Sequence, residues 1–128
     1  MTAQSAIDSA IVQELVGNAH GNLQRVQEIV AQYPAAVNAA WDWGGGDWET
    51  PLGAASHMGR RDIAGFLIER GARVNLFAAA MLGETAIVRA VLASYPHMKS
   101  SLGPHGIPLI EHARAGEAEE VVALLTAD

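Results

Sequence analysis

Few side chains in this sequence can do acid–base chemistry, and His57 is the one best suited to it. Imidazole titrates near neutral pH and serves as general acid or base when a carboxylate orients it. Asp47, Glu49 and Glu111 are the carboxylates available for that task. The competing reading of His57 is a plain dipole partner or surface residue near a helix end. Other chemistries have less to draw on. The histidines are isolated in sequence, with no pair at i, i+4, so neither a metal site nor any cofactor is expected. Gly44-Gly45-Gly46 neither follows a strand nor precedes a lysine-bearing helix, and reads as a turn, not a phosphate loop. The serines lack a nucleophile-elbow motif, and there is no cysteine to supply a thiolate.

The three tryptophans, Trp41, Trp43 and Trp48, fall within a single nine-residue stretch that also holds the glycine triplet. A tryptophan can bury ~150–250 Å², more than core packing at a loop tip explains. Either the indoles fold back over a groove, or they form an exposed contact surface.

What positions these residues is a repeated unit. Gly21, Gly59, Gly83 and Gly116 are each followed eight and nine residues later by an aliphatic pair, namely Ile29-Val30, Leu67-Ile68, Val91-Leu92 and Leu124-Leu125. A glycine closing one helix, followed by a second helix with an apolar stripe, makes a hairpin that buries its face only by stacking on copies of itself. The N-terminal stripe of Ile7, Ile11, Val12, Leu15, Val16 and Ala19 supplies the first helix, with Ser5 and Asp8 as a capping pair. The glycines are spaced 38, 24 and 33 residues apart, so the first interval carries an insertion and the second a deletion. Gly21 with Tyr33-Pro34 recurs as Gly83 with Tyr95-Pro96, and each proline stops a helix and opens a long connection.

The second unit resembles the ankyrin repeat: Thr50-Pro51-Leu52, Ala55, Gly59, Leu67-Ile68, Gly71-Ala72 and Asn75 follow that family's pattern. The resemblance implies an all-α, ankyrin-like helix-turn-helix solenoid of four repeats with irregular fingers. The repeats are expected near 5–38, 50–75, 76–99 and 107–128, in one domain over 1–128, with a Trp-rich finger at 39–49. Thr50 is expected to cap the helix opened by Pro51. Gly53 stands where the family has histidine, which predicts a less rigid helix start. His112 takes a small-residue position, expected to be partly buried and satisfied by backbone, and His105 belongs to a structured turn within reach of the groove.

By position in the repeat, the resemblance assigns partner contacts to the finger tips and to Val16, His20, Ala54, His57, Met58, Ala78, Met81, Leu82, Glu111, Arg114 and Ala115. An interaction module is the function it implies, gripping a protein partner through the Trp finger and a groove lined by methionine and alanine. The alternative is a cofactor-free acid–base enzyme (lyase, isomerase or cyclase) or a binder of an apolar small molecule, with His57, Asp47 and Glu111 as the catalytic set. Self-association as a homodimer is a third reading, against a monomer.

Composition narrows the partners. Fourteen acidic residues against eight basic ones give a net charge of −6, with Lys99 the only lysine. Nucleic acid and anionic membrane are thereby disfavoured, because both require basic patches. The N-terminal ten residues lack a basic leader, and no apolar run nears the ~20 residues that span a bilayer. A cytoplasmic location is the expectation.

Overall fold

The structure is a computed structural model that describes residues 5–127. Residues 1–4, part of the stretch read for a leader, and residue 128, the end of the fourth expected repeat, lie outside the described residues. Among the described residues, eight α-helices form four hairpins: α1 (Ser9–Asn18) with α2 (Leu23–Gln32), α3 (Pro51–His57) with α4 (Arg61–Glu69), α5 (Leu76–Met81) with α6 (Thr85–Ser94), and α7 (Leu109–Ala115) with α8 (Glu119–Thr126). This is the all-α repeat architecture that the glycine period predicts. The inner helices α1, α3, α5 and α7 stack on one another, and α2 packs on α4 and α6 on α8 outside them.

Side-chain caps open four of these helices. Thr50 accepts a hydrogen bond from the Gly53 amide at 3.0 Å, and Pro51 occupies the first helical position. Asn22 and Asn75 cap α2 and α5 in the same way. The expected Ser5–Asp8 pair is corrected: Asp8 alone caps α1, through the Ala10 amide, and the helix begins at Ser9. Tyr33 and Tyr95 end α2 and α6 with nearly identical backbone angles (φ −129°, ψ 68° and φ −135°, ψ 75°). Each is followed by a 3-10 turn, Pro34–Asn38 or Pro96–Ser100, so the sequence-level duplication is also a structural one.

The core is aliphatic. Leu15, Val16, Val26, Val30, Leu52, Ile63 and Leu67 fill its first half, and Val88, Leu109, Val121 and Leu125 its second. Alanines 54, 55, 78, 79 and 80 are fully buried and let the inner helices approach closely. Arg61 stitches the far ends of those helices, donating to the carbonyls of Met81, Leu82 and Gly116 at 2.8–3.2 Å. A charged group donating to carbonyls that helix ends leave unpaired is worth more than a neutral hydrogen bond. Arg61→Ala is expected to lower the free energy of unfolding by about 2–3 kcal/mol in a urea titration.

Two loops project as fingers. The first is a hairpin of β1 (Trp41–Asp42) and β2 (Trp48–Glu49), antiparallel with Trp41 opposite Glu49 and Asp42 opposite Trp48. Its tip is closed by the Asp42 carboxylate, which accepts from the Gly44 and Gly46 amides. The second finger spans the bridge between Leu102 and Pro108, with a tight turn at Pro104–Gly106. Between α4 and α5 only a short connection remains, held by the Asn38 side chain on the Gly71 carbonyl and the Arg73 amide. With no finger in that interval, the second finger lies against the first. The Asp47 carboxylate accepts from the His105 backbone amide at 2.8 Å, across 58 residues of chain.

Candidate functional site: a buried carboxylate among three imidazoles

Where the two fingers meet the ends of α1 and α3, four side chains from four segments converge. Glu49 closes β2 and is 1% exposed. His20 follows α1, His57 ends α3, and His105 tops the second finger. Glu49 Oε1 lies 3.1 Å from His20 Nε2, and Oε2 lies 2.9 Å from His57 Nε2 and 3.2 Å from His105 Nε2. The ring centroids stand 5.0 Å (His20 to His57), 5.2 Å (His57 to His105) and 6.1 Å (His20 to His105) apart. Trp43 lies beside His20 and His105 and donates its indole N–H to Glu49 Oε1 at 2.9 Å.

The outer nitrogens of two rings are committed. His20 Nδ1 lies 3.0 and 3.1 Å from the carbonyls of Val16 and Gly17, which can only accept. His105 Nδ1 lies 2.8 Å from Asp47 Oδ2, a carboxylate that likewise accepts. In both rings Nδ1 therefore carries hydrogen, and in the neutral form Nε2 presents its lone pair to the centre.

Electrostatics keeps the centre charged. Burial pushes the Glu49 carboxyl pKa up, but the neighbouring His20 and His57 rings and the Trp43 N–H outweigh it and hold it well below the usual carboxylate range. The Glu49 contact raises the His20 pKa against the opposing effect of burial. The His105 backbone N–H, with its ring, holds Asp47 low against partial desolvation.

The residues singled out in sequence meet mixed fates. His57 is in the cluster, and the carboxylate beside it is Glu49. Asp47 reaches the cluster one step removed, through His105. Glu111 is corrected as a partner of His57: it is half-exposed and pairs with Arg114 at 2.6 Å. The tryptophans divide, with Trp41 packed on the first half of the core, Trp43 on the cluster and Trp48 60% exposed. Met81 is corrected as a groove residue as well. Met81 is fully buried in the core, and Met58, half-exposed beside His57 in sequence, and half-buried Leu82 line neither cleft beside the hairpin.

One of those clefts, about 370 Å³, is lined by Ile7, Val12, Trp41 and Trp48. The other, about 330 Å³, is lined by Trp48, Gly53, Phe77, Leu102 and Pro104, with Asp47 at its edge. Gly53, where the repeat pattern has histidine, leaves room here. A Cβ there would meet Thr50 Oγ1 at 3.3 Å, Pro104 Cγ at 3.6 Å and Glu49 Cγ at 3.7 Å. His112 is buried with Nδ1 on the Pro108 carbonyl at 3.0 Å; burial lowers its pKa, and its Nε2 has no partner.

The expectation of isolated histidines is corrected too, since three of the five converge on one carboxylate. Sequence reasoning named Glu49 only as one of three carboxylates and His20 only as a groove position. The usable signal was that Trp48-Glu49 and Pro104-His105 occupy matching fingers before α3 and α7.

Stacked helix hairpins with projecting fingers define a repeat protein of the solenoid class. Residues 47–80 match the family model described as Ankyrin repeat, which supports an ankyrin-repeat family for the chain. No curated protein matches it. Ankyrin repeats generally mediate protein–protein interaction, so the match supports an interaction module in general. No helix among the described residues is long and apolar enough to cross a membrane.

Proposed function

We propose that the chain is an ankyrin-type scaffold whose working site is the Glu49 cluster, where it binds and acts on a small molecule. The observation that carries this reading is the Glu49 carboxylate, buried among three imidazoles in a fold whose core is largely aliphatic. Burying a charge costs roughly several kcal/mol even when it is paired, and apolar side chains would fill the same space at less cost. Imidazoles gathered on a carboxylate suit proton transfer or metal-assisted chemistry. The cleft of Trp48, Phe77, Leu102 and Pro104, which shares Asp47 with the cluster, offers an apolar wall for the body of such a molecule.

Removing the cluster separates this reading from a structural one. Glu49→Met/His57→Leu is expected to unfold at the same or a higher temperature than the parent, because packed apolar groups replace the buried pair while Trp43, His20 and His105, all partly exposed, can turn their polar atoms to water. A loss above about 2 kcal/mol would make the cluster a structural device and overturn the reading.

The exposure of Trp48 and Leu102, 60% and 65%, supports a second reading in which this finger edge docks a protein partner, in keeping with the family's general role. Trp48→Ala would then abolish partner capture with the cluster intact.

A further inference from the structure

Resting on the reading of the cluster as the working site, we propose that His20, His57, His105 and Glu49 bind a single divalent transition-metal ion of the zinc class.

The argument begins with two buried atoms. Glu49 Oε2 and His57 Nε2 are 2.9 Å apart, yet neither has a hydrogen-bond partner. Buried polar atoms left this way call for an unseen partner such as an ion. Lone pairs aimed at one space repel unless a positive charge, a proton or a metal ion, lies between them. Here His20 and His105, with Nδ1 hydrogens committed outward, aim Nε2 at the same carboxylate.

The dimensions suit an ion. One donor atom from each of the four residues lies within 4.8 Å of the other three. Zinc bound tetrahedrally at ~2.0–2.1 Å sets its ligand atoms about 3.3 Å apart. The carboxylate-to-imidazole distances of 2.9–3.2 Å are already near that spacing. His20 and His105 are 26% and 31% exposed, so small shifts of these two side chains that keep their Nδ1 contacts have room to tighten the set.

The surroundings have the form that metal ligands need. A metal-bound histidine donates its other N–H to a carbonyl or a carboxylate, which fixes the ring and strengthens the ligand. His20 does so to Val16 and Gly17, and His105 to Asp47. Trp43 fixes Glu49 Oε1 through its indole N–H. Three nitrogens and one carboxylate select a borderline ion such as Zn²⁺, Fe²⁺ or Co²⁺ over Mg²⁺ or Ca²⁺, which take oxygen ligands.

The test uses the full, untagged chain, stripped with a chelator and titrated with Zn²⁺ or Co²⁺ alone, by calorimetry and by the visible absorption of Co²⁺. One ion per chain is expected, with the Co²⁺ bands of a four- or five-coordinate nitrogen-rich site. His57→Ala, Glu49→Gln and, closer to the surface, His20→Ala should each weaken binding about 100-fold or more, and Asp47→Asn about 10- to 100-fold. His97→Ala, away from the cluster, should leave binding unchanged. Circular dichroism identifies any variant that fails to fold, and His20→Ala then carries the test. Failure of both ions to bind, or binding indifferent to His20→Ala and Glu49→Gln, overturns the metal assignment. If no ion binds while Glu49→Met/His57→Leu keeps its stability, the working-site reading survives without metal. If an ion binds but that double variant collapses, the metal stands and the site is structural.

Discussion

Gly116→Ala is expected to destabilise the fold by about 3 kcal/mol or more, a large share of the stability of a domain this size, measured by urea unfolding. The reason is contact, not backbone conformation. Gly116 has φ −86°, which any residue adopts, and the left-handed turn that follows α7 is made by Glu117 at φ 54°. A Cβ on Gly116 would run into the backbone of Met81, at the carbonyl oxygen, the carbonyl carbon and Cα. Backbone cannot rotate away as a side chain can, so α7 would have to shift off α5. That interface also holds Leu76, Ala79, Ala80, Leu109 and Ala113. Gly65 in α4 is the natural control, because a Cβ there meets nothing within 4 Å. Gly65→Ala should stabilise the protein by about 0.5–1 kcal/mol through helix propensity alone. Opposite signs for two glycine-to-alanine changes would show that the repeat glycine at 116 is held by packing.

The same comparison shows what a sequence can and cannot convey here. Two of the recurring glycines, Gly59 and Gly83, the Thr50-Pro51 start and the paired Tyr-Pro stops are local signals, each tied to a nearby backbone requirement, and the helices follow from them. Gly59 at φ 67° and Gly83 at φ 74° do what such glycines are expected to do, whereas Gly116 owes its identity to a neighbour 35 positions earlier. The site lies at the far end of that scale. His20, Glu49, His57 and His105 share no helical face and no short spacing. They meet because the fingers at residues 41–49 and 102–108 are brought together, and that depends on a loop the chain lacks. Likewise the apolar repeat position of Met81 pointed to the groove, but the close approach of α5 and α7 puts its side chain in the core.

The missing loop leads to the second large effect. In a regular array each interval between repeats carries its own finger, so the fingers before α3 and α7 would be separated by one before α5. Here the connection after α4 is too short to form one, and Asp47 reaches His105 directly. Inserting a nine-residue hairpin between Arg73 and Val74 restores the regular spacing. Val74 is exposed, and the Asn75 cap of α5 lies beyond the insertion, so the helices should persist and the far-UV circular dichroism should match the parent. The new finger would wedge between the other two, withdraw His105 from Glu49 Oε2, and leave the carboxylate with His20, His57 and Trp43. Affinity for Co²⁺ should fall by about 100-fold, as for loss of a ligand together with the carboxylate that orients it. Trp43 emission should shift to the red as water reaches the indole that now lies beside His105. Unchanged affinity in a well-folded insertion variant would mean that His105 is no ligand and that the shortened interval has no part in building the site. A graded loss with insertions of three, six and nine residues would mark the shortened interval as the structural cause of the convergence, because the wedge grows with the loop while every helix stays in place.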